Sequence, residues 1–131
     1  MTQEDKELLL RDLSARLPYG VKVHLSRKHN RPEEDIVLNN IIIGKYGFVA
    51  SNIIGYNYLL SEIKPYLRPM SSMTEEEKSE FYRTFDPTLE EPYYRAKVSS
   101  FDWLNKHHFD YRGLIEKGLA LEAPEGMYDV K

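Results

Sequence analysis

The fold is decided by the stretch GVKVHLS at residues 20–26, where Val21, Val23 and Leu25 alternate with polar or small side chains. An alternation with a period of two is typical of a β-strand that buries one face. Apolar and β-branched residues recur in three further short runs, at residues 36–43, 48–52 and 56–60. Turn-forming residues separate the runs, so the sequence predicts a small antiparallel meander of four strands. An open sheet and a partly closed, SH3-like barrel both fit this pattern.

A helical pattern precedes the strands. Thr2 and Asp5 form a capping-box pair, and leucines recur at helical spacing until Pro18 interrupts the pattern. The sequence therefore predicts an amphipathic helix over residues 3–17. At the other end of the strand-rich part, residues 61–67 are predicted to leave the sheet as a turn or a single 3₁₀ turn.

The rest of the chain has helical character. Two overlapping capping boxes, at residues 72–75 and 74–77, predict a helix that stops before Asp86. A further capping pair, Ser99 with Asp102, predicts the start of another helix.

These patterns together predict an α+β fold with an N-terminal helix, a four-strand antiparallel meander and C-terminal helices. The strand-rich part, about residues 20–69, and the helical part, about residues 72–131, are each too small to bury a core alone. We therefore expect residues 1–131 to form a single domain with one shared core.

Composition narrows the possible functions. The 131 residues contain no cysteine, which excludes disulfides, thiolate metal sites and a cysteine nucleophile. No apolar run approaches the roughly 20 residues that span a bilayer, and the acidic N-terminus is unlike a signal peptide, so we expect a cytoplasmic protein. The net charge of -3 disfavours general affinity for nucleic acid. No motif indicates a cofactor.

His107, His108 and Asp110 form the most chemically suggestive cluster, because two imidazoles and a carboxylate can bind a metal or act as a base. Adjacent residues on a helix point about 100° apart, however, whereas helical metal ligands sit three or four residues apart. The structural interpretation is a partly buried histidine near a helix end, with Asp110 capping the following turn. A metal-dependent hydrolase that uses these three residues is one alternative function.

Lys22, Arg27, Lys28 and Arg31 are the main basic concentration in the chain. If the strands closed into a small barrel, these residues would lie at its rim, where they could grip phosphates. The acidic residues 33–35 follow directly and would neutralise much of this charge. Nucleic-acid binding through the rim is a second alternative function.

Aromatic residues beside arginine mark the C-terminal half, and the candidate partner-binding residues are Tyr93, Tyr94, Trp103 and Arg112. Tryptophan, tyrosine and arginine are enriched at interface anchors, although aromatics at helical spacing are also typical of a core. The usual nucleophile and phosphate-binding motifs are absent, which makes an enzyme the less favoured interpretation. The preferred prediction is a small cytoplasmic binding or adaptor protein that acts through a protein partner.

Three stretches of the chain resemble one protein family. They are LSARLPYG at residues 13–20, IKPYLRPMSSMTEEE at residues 63–77 and FDWLNKHHFDYRGLIEKGLALEAPEGMY at residues 101–128. The family consists of small uncharacterised proteins encoded by gut anaerobic bacteria and by their phages or mobile elements. The resemblance implies a bacterial or mobile-element origin, and it implies no activity, cofactor or site residue.

Overall fold

The computed structural model describes residues 1–27, 31–42, 48–50, 57–84 and 93–128, and for residues 48–50, 57 and 93–99 it describes the backbone. In chain order the elements are helix α1 (Gln3–Arg16), strands β1 (Lys22–Leu25), β2 (Glu34–Val37), β3 (Phe48–Ala50), β4 (Asn57–Leu59) and β5 (Ile63–Leu67), helices α2 (Glu75–Arg83) and α3 (Tyr93–Lys106), and strand β6 (Leu121–Glu122). The predicted α+β class is confirmed.

Helix α1 begins where the sequence predicts. The Thr2 hydroxyl accepts the Asp5 N–H at 3.0 Å, and the Asp5 carboxylate accepts the Thr2 N–H at 3.2 Å. This capping box satisfies two backbone donors that the helix itself leaves unpaired. A 3₁₀ helix, Leu17–Tyr19, follows α1 because Pro18 lacks the N–H that a continued α-helix would need. Gly20, with a φ of 68°, then turns the chain into β1.

The strand order differs from the predicted meander. Four strands form one mixed sheet in the order β2–β1–β5–β6, and β3 pairs with β4 in a separate two-stranded sheet. Strand β1 is antiparallel to both β2 and β5, whereas β5 and β6 are parallel. The predicted four-strand antiparallel meander is therefore wrong. Within the described ranges β2 and β6 are edge strands at opposite ends of the larger sheet, so it is not closed into a barrel.

Strand β5 replaces the turn that was predicted at residues 61–67. Only Leu60–Glu62 forms a 3₁₀ turn, and the next five residues are the strand that joins β1 to β6. Ile63, Pro65 and Leu67 are buried, while Lys64 is exposed and Tyr66 is partly so. The alternation is a normal strand pattern with one inward face.

Pro65 fits inside this sheet because its position needs no N–H. Successive residues of a strand direct their backbone groups to opposite edges. The Leu67 carbonyl accepts the Ala123 N–H on the β6 side, and Pro65, two residues earlier, faces the same side. Pairing with β6 begins only at Tyr66, so proline removes no ladder hydrogen bond.

Helix α2 confirms one of the two overlapping capping boxes. The Thr74 hydroxyl accepts the Glu77 N–H at 3.1 Å, and the Glu77 carboxylate accepts the Thr74 N–H at 3.0 Å. The other predicted cap, at residue 72, instead ends the 3₁₀ turn Met70–Ser72. Helix α2 ends at Arg83, and the predicted stop before Asp86 falls outside the described residues.

Helix α3 begins at Tyr93, well over one turn before the predicted cap at Ser99. The prediction of a helix start at Ser99 is therefore wrong. The N–H groups that follow Ser99 bond to carbonyls of the preceding helical turn, so they need no side-chain cap. Further along, Ser100 and Leu104 are buried, which places that face of α3 against the rest of the molecule.

Apolar side chains gather in two clusters. The larger one joins α1, the inner face of the sheet and the turns after α3, and its members are Leu9, Leu13, Val21, Val23, Leu25, Leu38, Tyr58, Leu60, Ile63, Leu67, Leu114, Leu119 and Ala120. The smaller one contains Met73, Leu104 and Phe109, with Phe81, Trp103 and Tyr111 packed against it. The C-terminal part of the chain contributes to both clusters, and the single-domain organisation stays a prediction.

Candidate functional site

The segment after α3, residues 107–112, lies between the two apolar clusters. The Arg68 N–H donates to the His108 carbonyl, and the Asp110 N–H donates to the Arg68 carbonyl, both at 2.8 Å. These bonds form a parallel bridge between Arg68 and Phe109. His108 has a φ of 61°, in the left-handed region that residues other than glycine seldom adopt. The chain thus turns at His108 and runs beside the residue that follows β5.

Arg68 and Glu77 form a buried ion pair that fixes α2 against the end of the sheet. The two Nη atoms of the arginine each donate to one carboxylate oxygen at 2.7 Å, and 10% and 2% of the two side chains are exposed. The guanidinium also lies 4.2 Å from the centroid of the Phe109 ring. Burial raises the pKa of Glu77, but hydrogen bonds from Arg68 and Thr74 more than offset it, so this pKa lies below its ordinary value. Both side chains are therefore ionised, and their hydrogen bonds hold the fold together.

A second group of buried charges joins α1 to the segment after α3. Asp12 accepts the Arg16 Nε–H at 2.9 Å and an Arg112 Nη1–H at 2.7 Å. Arg16, which is fully buried, also donates to the Phe109 carbonyl. Within the described part of the chain, Arg16 Nη1 has no hydrogen-bond partner. One carboxylate therefore faces two arginines, and the surroundings carry a local excess of positive charge.

His108 lies beside this positive charge, with 5% of its surface exposed. Burial lowers the pKa of His108 to about 4, and the charge of Arg16 acts in the same direction. The ring stacks on Tyr128, with the centroids 4.0 Å apart. Among the described residues, His108 Nδ1 has no hydrogen-bond partner. The imidazole is therefore neutral at pH 7 and is covered by the C-terminal tyrosine.

The three residues of the predicted metal cluster serve other roles. Asp110 accepts the N–H groups of Leu114 and Ile115, at 2.9 and 3.0 Å, and so caps the turn that follows. The rings of His107 and His108 pack on aromatic neighbours. A search of the described residues finds no group of three His, Cys, Asp or Glu side chains that could hold a metal ion. A metal-dependent hydrolase stays a prediction without a supporting contact.

Two of the predicted partner-binding residues lie at the start of α3, and one lies in the smaller cluster. Tyr93 and Tyr94 open the helix, but their side chains fall outside the described part of the chain. Trp103 packs between Phe81 and Phe109, with ring centroids 5.4 and 5.7 Å away. Trp103 is therefore partly buried against the smaller cluster, and its role in partner binding stays a prediction.

Phe101, which the sequence analysis did not select, is the exposed aromatic residue among the described side chains of α3. Its side chain is 54% exposed, and its ring centroid lies 5.4 Å from that of Tyr111. The guanidinium groups of Arg112 and Arg16 lie 4.5 and 5.6 Å from the Tyr111 ring centroid. The Tyr111 hydroxyl donates to Asn105 at 2.9 Å. Phe101, Tyr111 and Arg112 form what we name the aromatic platform.

The structure describes three of the four residues of the predicted basic rim. Lys28 falls outside the described residues. Lys22 Nζ donates to a carbonyl of the C-terminal segment at 2.8 Å, and Arg31 pairs with Glu34 at 2.7 Å. Arg27 is exposed. Two of the four cations are thus already engaged within the chain, and nucleic-acid binding through this rim stays a prediction.

The outer face of the sheet carries a polar network that the sequence analysis did not predict. His24 Nδ1 lies 2.8 Å from an Asp35 oxygen that also accepts the Tyr66 hydroxyl at 2.8 Å, while His24 Nε2 lies 3.3 Å from Glu33. Burial raises the pKa of Tyr66 to about 12, with a further contribution from Asp35. Both ring nitrogens of His24 therefore lie within hydrogen-bond distance of carboxylates. His24 and Asp35 meet because the register of β1 and β2 places them opposite each other.

A cleft of about 560 Å³ lies where the chain leaves the parallel strands β5 and β6. Arg68 and Thr74 lie on one wall, and Glu122, Glu125 and Tyr128 lie on the other. Ligands often bind outside the carboxyl ends of parallel strands. The charged group on the first wall is already neutralised by its ion pair, and the two glutamates are exposed. The cleft offers space without a catalytic arrangement among its described residues.

No family model matches this chain, and neither a curated protein nor a solved structure matches it. The family resemblance of the three stretches therefore stays a prediction. None of the described helices is long and apolar enough to cross a membrane.

Proposed function

We propose that this chain is a small binding protein that engages a protein partner through the aromatic platform. The observation that carries the proposal is the exposure of Phe101, which remains 54% exposed although its ring packs on Tyr111. Phenylalanine, tyrosine and arginine, the three residue types of the platform, are enriched at protein interfaces.

The base of the platform favours binding because it is already ordered. Tyr111 is held by its hydroxyl bond to Asn105 and by the guanidinium of Arg112, which is itself bonded to Asp12. A side chain that is fixed before binding loses little conformational entropy when a partner covers it. The platform therefore combines exposed aromatic area with a low ordering cost.

The position of α3 supports a larger interface around the same anchor. Tyr94 lies seven residues, or about two helical turns, before Phe101 on this helix. Residues two turns apart occupy nearly the same angular position on a helix. The helix that carries Phe101 also carries Tyr93 and Tyr94, the tyrosines that the sequence analysis selected.

The test compares three baits in cells of the organism that encodes the chain: the unchanged protein, Phe101→Ala and Tyr82→Ala. Tyr82 is a matched control because it is an aromatic residue on a different helix and is 61% exposed. A specific partner should co-purify with the unchanged protein and with Tyr82→Ala, and should be lost with Phe101→Ala. With the purified partner, calorimetry should show Kd rising by at least about 30-fold for Phe101→Ala.

Two results would contradict this proposal. One is that every co-purified protein is retained by Phe101→Ala. The other is that Tyr82→Ala loses the same proteins, since this would indicate general adhesion of exposed aromatics rather than a specific surface. Circular dichroism spectra of all three proteins should coincide, because both substituted side chains are largely outside the core.

A further inference from the structure

The C-terminal segment, residues 121–128, is held to the sheet at both ends, and at its far end the main contact is one side chain. The Tyr128 hydroxyl accepts the Lys22 N–H at 2.9 Å and donates to the Tyr66 carbonyl at 2.8 Å, so it bridges β1 and β5. Lys22 Nζ also donates to the Met127 carbonyl at 2.8 Å. At the start of the segment, backbone bonds to β5 add a short parallel ladder. Displacement of Tyr128 would remove the contacts at the far end of the segment.

The Tyr128 ring covers His108, which is surrounded by positive charge. The rings are stacked with an interplanar angle of 21°. The groups that act on the imidazole come from several elements: Arg16 of α1, the Tyr19 carbonyl of the 3₁₀ helix, Arg68 after β5 and the adjacent His107. The nearby carboxylates are already engaged, since Asp12 binds two arginines and Glu77 binds Arg68.

We propose that His108 and Tyr128 form an acid-sensitive clasp, in which proton uptake by His108 releases the C-terminal segment from the sheet. The proton comes from solvent and binds Nδ1, the ring nitrogen that has no partner among the described residues. The resulting cation lies beside Arg16 and Arg68 without an acceptor for its new N–H, which is a costly arrangement in a buried site.

Movement of Tyr128 is the least costly route by which water can reach the charged ring. Arg16 and Arg68, whose charges act on the ring, are buried side chains that are held by their own hydrogen bonds. Tyr128 is only partly buried and follows the exposed turn at residues 124–126. Release would uncover the β6 side of β5 and one wall of the cleft, so a covered sheet edge would become open to another strand.

The direction of the pH effect follows from proton linkage. The buried ring binds a proton only near pH 4, whereas an exposed histidine binds one below about pH 6.5. Between these values the released form takes up one more proton than the clasped form, so its population relative to the clasped form rises about tenfold for each unit of falling pH. Across the whole range the ratio changes by roughly two orders of magnitude.

The test is a pH titration of ¹⁵N-labelled protein from pH 7 to pH 4, followed by amide signals. We expect the Ala123 and Gly126 signals to move to random-coil positions while those of Leu13 and Val23 stay native. His108→Asn should keep the segment bound, because asparagine tolerates the left-handed backbone and does not titrate. His107→Asn is the matched control and should behave like the unchanged protein.

Several outcomes would overturn the proposal. One is a segment that stays bound until Leu13 and Val23 also lose their native signals, and another is release of the segment in His108→Asn at the same pH as in the unchanged protein. If His108→Asn does not fold, Tyr128→Phe gives an independent reading, because it keeps the stacked ring and removes the hydroxyl bridge. Release of this variant should occur at a higher pH, and an unchanged release pH would contradict the clasp. His108 and Tyr128 lie outside the aromatic platform, so these results do not bear on partner binding.

Discussion

At the scale of single residues, the buried pair of Arg68 and Glu77 replaces apolar packing at the junction of sheet and helix. Removing two charges from water is costly, and only good geometry recovers that cost. Here the guanidinium fork meets both carboxylate oxygens at 2.7 Å, and the Thr74 N–H binds one of the same oxygens. The arrangement also specifies position, because the fork fits the carboxylate in one orientation. The first turn of α2 is therefore tied to the end of β5.

Glu77→Gln should destabilise the protein by about 3–5 kcal/mol, because it leaves the arginine charge buried without a counter-charge. Urea unfolding followed by circular dichroism measures this change. Glu76→Gln is the matched control, since the side chain is exposed in the same helical turn, and it should stay within about 0.5 kcal/mol of the unchanged protein. Equal effects of the two substitutions would show that the ion pair contributes no specific stability.

At the scale of elements, the positions at which strand β5 tolerates proline depend on the neighbouring strand that each backbone group faces. The backbone N–H and C=O groups of the even-numbered residues point toward β1. The Glu62 carbonyl accepts the Ser26 N–H, and Lys64 lies opposite His24. Odd-numbered positions, including that of Pro65, face the β6 side. The proline is therefore placed at a position that needs no donor, and the adjacent position on the β1 side does need one.

This alternation gives opposite expectations for two neighbouring positions. Pro65→Ala should change the free energy of unfolding by no more than about 1 kcal/mol, mainly through the greater freedom of the unfolded chain. Lys64→Pro should cost at least about 2 kcal/mol, because it removes a ladder donor to β1 and leaves a carbonyl unpaired. Thermal unfolding of the two variants beside the unchanged protein measures both effects. A similar loss in both would mean that the assigned register of β1 and β5 is wrong.

The elements that the sequence predicted are those with local signals. The capping boxes that start α1 and α2, and the alternation in β1, lie within a few residues of the structure they specify. Strand β5 has the period-two alternation of a strand, but Pro65 within it is typical of a turn, and only pairing with distant segments shows that its position needs no N–H. Strand β6 is two residues long and shows no period at all. The capping role of Asp110 was predictable for the same local reason, whereas the exposure of Phe101 depends on tertiary packing.

At the scale of the whole molecule, the buried charges connect the two apolar clusters. Asp12 and Arg16 belong to α1, which packs on the sheet, and they bind Arg112 and the Phe109 carbonyl in the segment after α3. Phe109 itself lies in the smaller cluster, whereas Leu114, a few residues later, lies in the larger one. If the two clusters separated, these buried charges would lose their partners. We therefore expect the chain to unfold as a single cooperative unit.

Trp103 makes this expectation testable, because it is the one tryptophan in the sequence and packs against the smaller cluster. Tryptophan fluorescence should therefore report that cluster, while far-ultraviolet circular dichroism reports all helices and strands. In urea the two signals should share one midpoint. Asp12→Asn should shift both together by about 3–5 kcal/mol, because two arginines lose their buried counter-charge, and the exposed Glu4→Gln should shift neither. Two separate midpoints, or a shift of only one signal, would mean that the strand-rich and helical parts are independent domains.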